Sequence, residues 1–193
     1  KSRLLLSVSE SLAPHVAQLA AKTRRLFDAD CLPGEVSHAL SGFHRQAGER
    51  YRIEGIRLPC SFGGFEMSVR AIIGQQITVK AANTLAGRLA QRFGIPCDTP
   101  FEGLDTVFPD PSAFASDEAV EAMGELGIIK RRAQAIRLLA EGFADGSLEW
   151  GAGCDAQQSL QKLVALPGIG PWTANYLLMR AFHYTDGFPA ADY

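Results

Sequence analysis

The chain has 193 residues, and its 19 Lys and Arg against 21 Asp and Glu give a formal net charge of -2 at pH 7. This balance excludes a protein that coats nucleic acid through a broad positive field, so any grip on a polyanion has to be local. No apolar run approaches the roughly 18 residues needed to cross a bilayer. The basic start KSRLLLSVSESL also turns polar too soon for a secretory signal. We therefore expect no membrane span and a cytoplasmic location.

The four cysteines are widely separated along the chain, at Cys31, Cys60, Cys97 and Cys154. Zinc and iron-sulfur sites favour closely spaced pairs of cysteines, and this chain has none. We expect four reduced thiols in the core or at the surface, and no metal held by cysteine.

At the N-terminal end, the apolar centre of residues 3–8 predicts a short strand, and Ser9 with the periodic run to Phe27 predicts a capped helix. A strand this short cannot stand alone, so it implies a partner sheet that precedes this sequence. Residues 45–64 are rich in charge, Gly and Pro and indicate a connector, with a domain boundary near Gly55.

The rest of the chain is predicted to be helical. Phe65, Val69, Ile72 and Ile73 fall at helical spacing, Gly74-Gln75-Gln76 interrupts them, and Thr78 can cap a second helix to about Phe93. Residues 94–111 indicate a loop, residues 117–123 a short helix, and residues 130–143 an amphipathic helix. The basic first turn of that last helix opposes the helix dipole, and both a solvated face and a phosphate contact remain open for it. The fold class is mainly α.

Residues 155–182 are the most informative segment, because two helices flank the turn LPGIGP. Gly168 and Gly170 allow the backbone to turn sharply around Ile169. The turn opens at a helix N-terminus, where free N–H groups can bind a phosphate oxygen without a basic side chain. The same sequence is equally typical of a tight connection between two helices that binds no ligand.

The whole string LPGIGPWTANY, followed by a Gly/Pro-rich loop and Asp192, resembles the helix-hairpin-helix DNA glycosylases. RLFDADCLP, GIRLPCSFGGFEMSVRAIIGQQITVKAA and LGIIKRRAQAI add, in the same order, a similarity to the 3-methyladenine DNA glycosylase II family. The resemblance implies the α-bundle of these glycosylases in residues 55–193, cut short after Asp192. Residues 1–54 would then hold the end of a preceding mixed α/β domain, including its short strand, and the first helices of the bundle.

The resemblance also implies a catalytic residue and a base pocket. Asp192 would stabilise the oxocarbenium-like sugar and orient or deprotonate water; a helix-capping role is the alternative, and Asp186 is the second candidate. Trp172 occupies the position where relatives that also break the strand have a lysine, so no Schiff base is expected. Trp172, Tyr176 and Tyr193 would line the pocket for a flipped, cationic base, although aromatic pairs at this spacing are commonly core packing.

Further DNA contacts follow from the same resemblance. Gln76 stands where a relative has an apolar wedge that fills the gap left by the flipped base, with Gln75 beside it; both glutamines satisfying backbone groups is the alternative. Thr173 would give its hydroxyl and N–H to a phosphate. The carbonyls of Leu166 and Ile169 would hold a monovalent cation, and no other cofactor is expected.

The sequence therefore predicts a monomeric base-excision repair glycosylase, acting on double-stranded DNA with alkylated bases such as 3-methyladenine and 7-methylguanine. Water would be the nucleophile, and no strand break would follow. Three alternatives stay open: a non-catalytic helix-hairpin-helix module that binds DNA, a helical interaction domain without DNA binding, and a glycosylase for another damaged base.

Overall fold

The computed structural model describes residues 3–42, 54–149 and 154–190. The chain divides into two compact units, Lys1–Phe62 and Gly63–Tyr193. The predicted assignment of residues 1–54 and 55–193 to two domains stays a prediction, because residues 43–53 lie outside these ranges. Among the described helices, none has the length and apolar character required to cross a membrane.

The first unit contains the helices α1 (Val16–Leu26) and α2 (Pro33–Ala39), and a 3-10 turn at Glu10–His15 precedes α1. The predicted capped helix from Ser9 is therefore only partly correct. Pro14 lies inside the first turns and lacks the N–H that an α-helical bond requires. The Ser9 hydroxyl makes no capping bond and pairs instead with that of Ser11 at 3.1 Å.

The predicted N-terminal strand is not formed in this structure: residues 3–8 adopt no strand, and the sheet predicted to pair with them would precede this sequence. A strand exists only as part of a hydrogen-bonded ladder. No described segment pairs with residues 3–8, and the side chain of Leu5 is 93% exposed. The apolar residues of this segment therefore do not belong to a sheet in this structure.

Asp28 organises the end of α1. Its backbone is left-handed, with φ 48°, and its side chain is buried. One carboxylate oxygen accepts the Leu58 N–H at 2.8 Å, and the Cys60 N–H donates to the Leu26 carbonyl at 3.0 Å. Residues 58–60 are thereby tied to the C-terminal turn of α1.

The second unit follows the predicted helices closely. It contains α3 (Gly64–Gly74), α4 (Val79–Phe93), α5 (Asp117–Glu125), α6 (Lys130–Ala144), α7 (Ala156–Ala165) and α8 (Pro171–Leu177). A π-helical turn, Leu178–Phe182, continues α8. The predicted helices over residues 65–73, 78–93, 117–123 and 130–143 and the two helices of the 155–182 segment are confirmed.

Side-chain caps explain where several of these helices begin. The Thr78 hydroxyl accepts from the Ala81 N–H at 3.2 Å, as predicted, and Ser116 caps Ala119 in the same way at 3.2 Å. A backbone hydrogen bond and the Ser116 hydroxyl lower the pKa of Glu118 in the first turn of α5. The Asp155 carboxylate accepts from the N–H groups of Gln157 and Gln158.

The predicted loop at residues 94–111 is not wholly irregular. Ile95–Pro96 (β1) pairs antiparallel with Thr106–Val107 (β2), with Ile95 opposite Val107. Two-residue strands are too short to show the alternation from which a strand is predicted. A Cβ at Gly94 would lie 2.5 Å from the Val107 carbonyl oxygen, so only glycine allows this close approach.

Helix α3 is the centre of the second unit and packs against α4, α6, α8 and the π-helical turn. Its buried face, with Val69, Ile72 and Ile73, lies in a core shared with Leu89, Ile136 and Leu177. Five phenylalanines surround one edge of that core. They are Phe65, Phe93, Phe108, Phe114 and Phe143. The turns that follow α3 and α7 are therefore held by a rigid core.

Candidate nucleic-acid interface

Residues 166–170, here called the hairpin turn, join α7 to α8. Gly168 has φ +93°, a conformation that favours glycine, and the Ile169 N–H donates to the Leu166 carbonyl at 3.1 Å. Ile169 is 3% exposed and belongs to the core. Pro171 begins α8 at the position where its missing N–H costs nothing.

Free donors converge at the hairpin turn. Among the described residues, the N–H groups of Gly168, Gly170 and Thr173 donate to no protein acceptor. Such groups at a helix N-terminus carry partial positive charge and favour an anion. The predicted phosphate site thus has its donors in place, while the phosphate contact itself stays a prediction.

The hairpin turn lies against the first turns of α6. A Cβ built at Gly168 would lie 2.9 Å from the Cβ of Ala135 and 3.6 Å from the Arg131 carbonyl oxygen. Glycine is therefore required at residue 168 both for its backbone angle and for the space. At Gly170, by contrast, φ is -84° and a Cβ would meet nothing within 4 Å.

Gln75 connects the turn after α3 to the hairpin turn. Its Nε2 donates to the Gly168 carbonyl at 3.0 Å and lies 3.2 Å from Thr173 Oγ1. Its own carbonyl accepts a hydrogen bond from the Arg132 guanidinium. The Gln75 side chain therefore satisfies a backbone group, which was the alternative to a DNA contact. That group is the Gly168 carbonyl, far from Gln75 in sequence. We call these contacts the Gln75 bridge.

Gln76 is placed differently from its neighbour. Its backbone is left-handed, with φ 55°, its side chain is exposed, and it makes no hydrogen bond to any described residue. A glutamine in this conformation is uncommon and costs free energy. The geometry leaves the side chain free to reach outward, as a wedge must.

Trp172 and Tyr176 stack on α8, as their spacing of four residues allows. Their ring centroids are 5.2 Å apart and the planes differ by 11°. Both side chains are half-buried, and neither belongs to the fully buried set. The Trp172 Nε1 atom is buried and has no hydrogen-bond acceptor among the described residues. The pair offers an aromatic surface that begins at the first turn of α8, next to the free donors, while Tyr176 also packs against the core.

Thr173, Leu166 and Ile169 were each predicted to bind an ion or a phosphate. The Thr173 side chain is 4% exposed and its hydroxyl lies in the Gln75 bridge, so its backbone N–H is the better placed donor. The Leu166 carbonyl accepts one hydrogen bond, from Ile169, and retains a second lone pair. The monovalent cation expected on the Leu166 and Ile169 carbonyls stays a prediction.

The predicted catalytic Asp192 and the predicted pocket residue Tyr193 lie outside the described residues. In the segment before them, Gly187 packs closely against α8 and the π-helical turn. A Cβ there would lie 3.0 Å from the Met179 nitrogen and 3.2 Å from the Asn175 carbonyl oxygen. Asp186, the second carboxylate candidate, lies in the exposed turn next to Gly187.

Comparison with known proteins decides the family. The profile of the HhH-GPD superfamily of base-excision DNA-repair proteins matches residues 69–193. The chain belongs to the HhH-GPD superfamily. The match includes the turn after α3, the hairpin turn and Asp192, so the residues described above lie within the segment that defines the family.

Individual relatives in the HhH-GPD superfamily agree with this assignment. DNA-3-methyladenine glycosylase 2 of Escherichia coli is 37% identical over 190 residues, which are 98% of this chain and 64% of that protein. The probable bifunctional transcriptional activator/DNA repair enzyme AlkA of Mycobacterium tuberculosis is 37% identical over 172 residues, 89% of this chain and 34% of that protein. The chain thus spans between about one third and two thirds of the length of these relatives.

A solved structure supports the same fold. The 3-methyladenine DNA-glycosylase from Archaeoglobus fulgidus superposes with a TM-score of 0.68 at 29% identity, over 96% of this chain and 61% of that one. The mainly helical HhH-GPD architecture predicted from sequence is confirmed.

One residue of the interface was not predicted from the sequence. Arg132 lies in the basic first turn of α6, for which a solvated face and a phosphate contact were both open. The structure shows that its guanidinium donates to the Gln75 carbonyl. The sequence offers one signal for this residue, a basic first turn that opposes the helix dipole. That signal does not indicate a partner 57 residues away in sequence.

Proposed function

We propose that the protein is a monofunctional DNA glycosylase that removes alkylated bases from double-stranded DNA and acts as a monomer. One observation carries the proposal. The free N–H donors of the hairpin turn lie directly before the short helix that carries the stacked pair of Trp172 and Tyr176, in a chain of the HhH-GPD superfamily. An anion site and an aromatic surface so close together suit a nucleotide whose phosphate is held while its base is stacked.

Alkylated purines suit this surface. Alkylation at a ring nitrogen makes the base cationic, and a cation is attracted to the face of an electron-rich ring. The same positive charge makes the base a good leaving group, so little general-acid help is needed. The names of the Escherichia coli and Archaeoglobus fulgidus relatives, both 3-methyladenine glycosylases, support this substrate class.

In the proposed reaction, water attacks the anomeric carbon while the bond from that carbon to the base nitrogen breaks. The electron pair of that bond leaves with the cationic base, which departs neutral. The proton lost by the water goes to the Asp192 carboxylate, which also stabilises the positive sugar in the transition state. Trp172 has no amine with which to form a Schiff base, so the product is an abasic site in an intact strand.

Two further roles belong to this proposal. Gln76 would enter the duplex and fill the space of the flipped base. The carbonyls of Leu166 and Ile169 would hold a monovalent cation that supplies positive charge beside the bound phosphate. No other cofactor takes part in the proposed reaction.

The test uses duplex DNA that carries 7-methylguanine. Release of the free base and strand breaks before alkali are measured for the protein, for Asp192→Asn and for Asp186→Asn as the matched carboxylate control. We expect release by the protein and by Asp186→Asn, loss of release in Asp192→Asn, and intact strands throughout. Binding without release by the unsubstituted protein would support a non-catalytic DNA-binding module instead. Release of oxidised or mismatched bases, with 7-methylguanine untouched, would overturn the substrate class.

A further inference from the structure

A second surface feature lies in the same unit as the hairpin turn. It is a groove of about 550 Å³ between α4 and the turn that joins α5 to α6. Three cationic side chains line it, those of Lys80, Arg88 and Arg132. Ile77, Leu85 and Ile129 supply its apolar part. A lining of this kind suits a ligand that carries both negative charge and apolar surface, as a sugar-phosphate backbone does.

Two other arginines of the unit are paired with carboxylates. Arg70 pairs with Glu66, and Arg137 pairs with Asp117 and Glu141. Within the described ranges, neither Lys80, Arg88 nor Arg132 has a carboxylate partner. In a chain of net charge -2, three cations on one groove without carboxylates are a local positive site.

Two of these cations are held in place by the backbone. Arg88 donates from Nη1 to the Leu126 carbonyl at 3.0 Å, and a Cβ at Gly127 would lie 3.7 Å from that nitrogen. Arg132 is held by the Gln75 carbonyl. Neither bond neutralises the positive charge, so both guanidiniums stay available to an anion at fixed positions. Lys80 is exposed, and its ammonium group makes no hydrogen bond to any described residue; only its backbone carbonyl accepts one, from the Thr84 hydroxyl.

The groove and the hairpin turn are linked through the Gln75 bridge. Arg132 lines the groove and binds the Gln75 carbonyl, while the side chain of Gln75 binds Gly168 in the hairpin turn. Gln76 and Ile77 follow directly, and Ile77 already belongs to the groove. The exposed Gln76 therefore lies between two residues with different contacts: Gln75, which binds the hairpin turn, and Ile77, which lines the cationic groove.

We propose that this groove binds the sugar-phosphate backbone of the DNA strand opposite the damaged base. The inference rests on the proposed function, in which the hairpin turn holds the damaged strand and Gln76 enters the duplex between the strands. A duplex that receives Gln76 presents one backbone on each side of it. The hairpin turn binds the backbone of the damaged strand. Lys80, as a point charge, and Arg88, as a planar donor, bind phosphates of the opposite strand.

Lys80 allows the sharpest test, because its removal does not threaten the fold. It occupies the first turn of α4, where a cation opposes the helix dipole, and that turn contains no acidic residue. Lys80→Gln should therefore unfold at the same temperature as the unsubstituted protein or slightly higher. Arg92→Gln is the matched control, since Arg92 is an exposed cation of the same helix and does not line the groove.

The experiment measures affinity for a duplex with a tetrahydrofuran abasic analogue and for the same modified strand alone, over a range of salt. We expect Lys80→Gln to weaken duplex binding about two- to fivefold, the upper part of the range for one exposed ion pair. Its slope of log affinity against log salt should fall by about 1. Its affinity for the single strand should not change. Arg92→Gln should leave all three quantities unchanged.

The outcomes separate this inference from the proposed function. Equal weakening on the duplex and on the single strand would place Lys80 on the damaged strand, and no weakening on either would make it a solvated cation; both overturn the opposite-strand groove. If the unsubstituted protein releases 7-methylguanine while Lys80→Gln binds duplex normally, only the groove fails. If the unsubstituted protein neither binds duplex nor releases the base, the proposed function fails and the groove fails with it.

Discussion

Gln75 and Thr173 are hydrogen-bonded across 98 residues of sequence, with Nε2 of the glutamine 3.2 Å from Oγ1 of the threonine. The same nitrogen donates to the Gly168 carbonyl at 3.0 Å. One amide group therefore holds the hairpin turn and the first turn of α8 in a fixed relation to the end of α3. Together with the packing of Ile169 in the core, this side chain fixes the geometry of the proposed phosphate site.

Replacing Gln75 by Ala should lower the free energy of unfolding by about 1 to 3 kcal/mol, because a carbonyl and a buried hydroxyl lose their donor. The expected fall in Tm is about 2 to 4 °C for each kcal/mol in a chain of this size. Affinity for DNA should fall as well, since the free N–H groups of the hairpin turn are no longer held in register. Calorimetry and a duplex binding assay measure the two effects.

Gln75→Glu and Gln91→Ala make this prediction specific. Glutamate has the shape of glutamine but donates no hydrogen bond, and its charge faces the Gly168 carbonyl, so it should destabilise at least as much as alanine. Gln91 is an exposed glutamine of α4, and its loss should change Tm by less than about 1 °C. A Gln75→Ala protein as stable as the Gln91→Ala control would contradict the role of the bridge.

Gly168→Ala should be strongly destabilising and Gly170→Ala nearly neutral, although both glycines belong to one turn. At residue 168 a side chain meets φ +93° and the Cβ of Ala135 at 2.9 Å. Backbone strain and overpacking together predict a loss of about 2 to 4 kcal/mol. At residue 170, φ is ordinary and the space is open. Urea denaturation of both variants measures the difference.

A double-mutant cycle separates the two causes at residue 168. Ala135→Gly removes the atom that the new Cβ would strike, so combining it with Gly168→Ala should recover about 1 kcal/mol relative to the sum of the single changes. The backbone strain should remain. If the two changes are strictly additive, the contact with Ala135 contributes nothing and strain alone explains the requirement for glycine.

Local signals explain how much of this molecule could be predicted from its sequence. The cap at Thr78, the apolar spacing in α3 and the glycines of the hairpin turn each act over a few residues, and each predicted its element correctly. Residues 3–8 form no strand, because a strand needs a hydrogen-bonded partner and the partner sheet predicted for this segment would precede this sequence. The contact of Arg132 with Gln75 could not be predicted from the sequence, since it depends on the packing of α3 against α6.

Replacing Gln76 by Gly should affect base release without lowering stability. Gln76→Gly removes the side chain proposed to enter the duplex and also relieves the cost of φ 55° in a non-glycine residue. We expect a free energy of unfolding that is unchanged or up to about 1 kcal/mol higher, together with slower release of 7-methylguanine. Thermal unfolding and base release on the same preparation test the two halves. Equal release rates for Gln76→Gly and the unsubstituted protein would show that the side chain plays no part in base flipping.

Trp172 should be replaceable by Phe with little effect on stability but a clear effect on release of a cationic base. Its Nε1 is buried without an acceptor among the described residues, so a ring that lacks this N–H leaves nothing unsatisfied. A smaller ring stacks less well on Tyr176 and attracts a cation more weakly than indole does. We expect Trp172→Phe to slow release of 7-methylguanine about fivefold, equivalent to about 1 kcal/mol of lost cation attraction. Release of neutral hypoxanthine, if the protein accepts it, should slow less, so the ratio of the two rates is the decisive measurement; an unchanged ratio would assign Trp172 to packing alone.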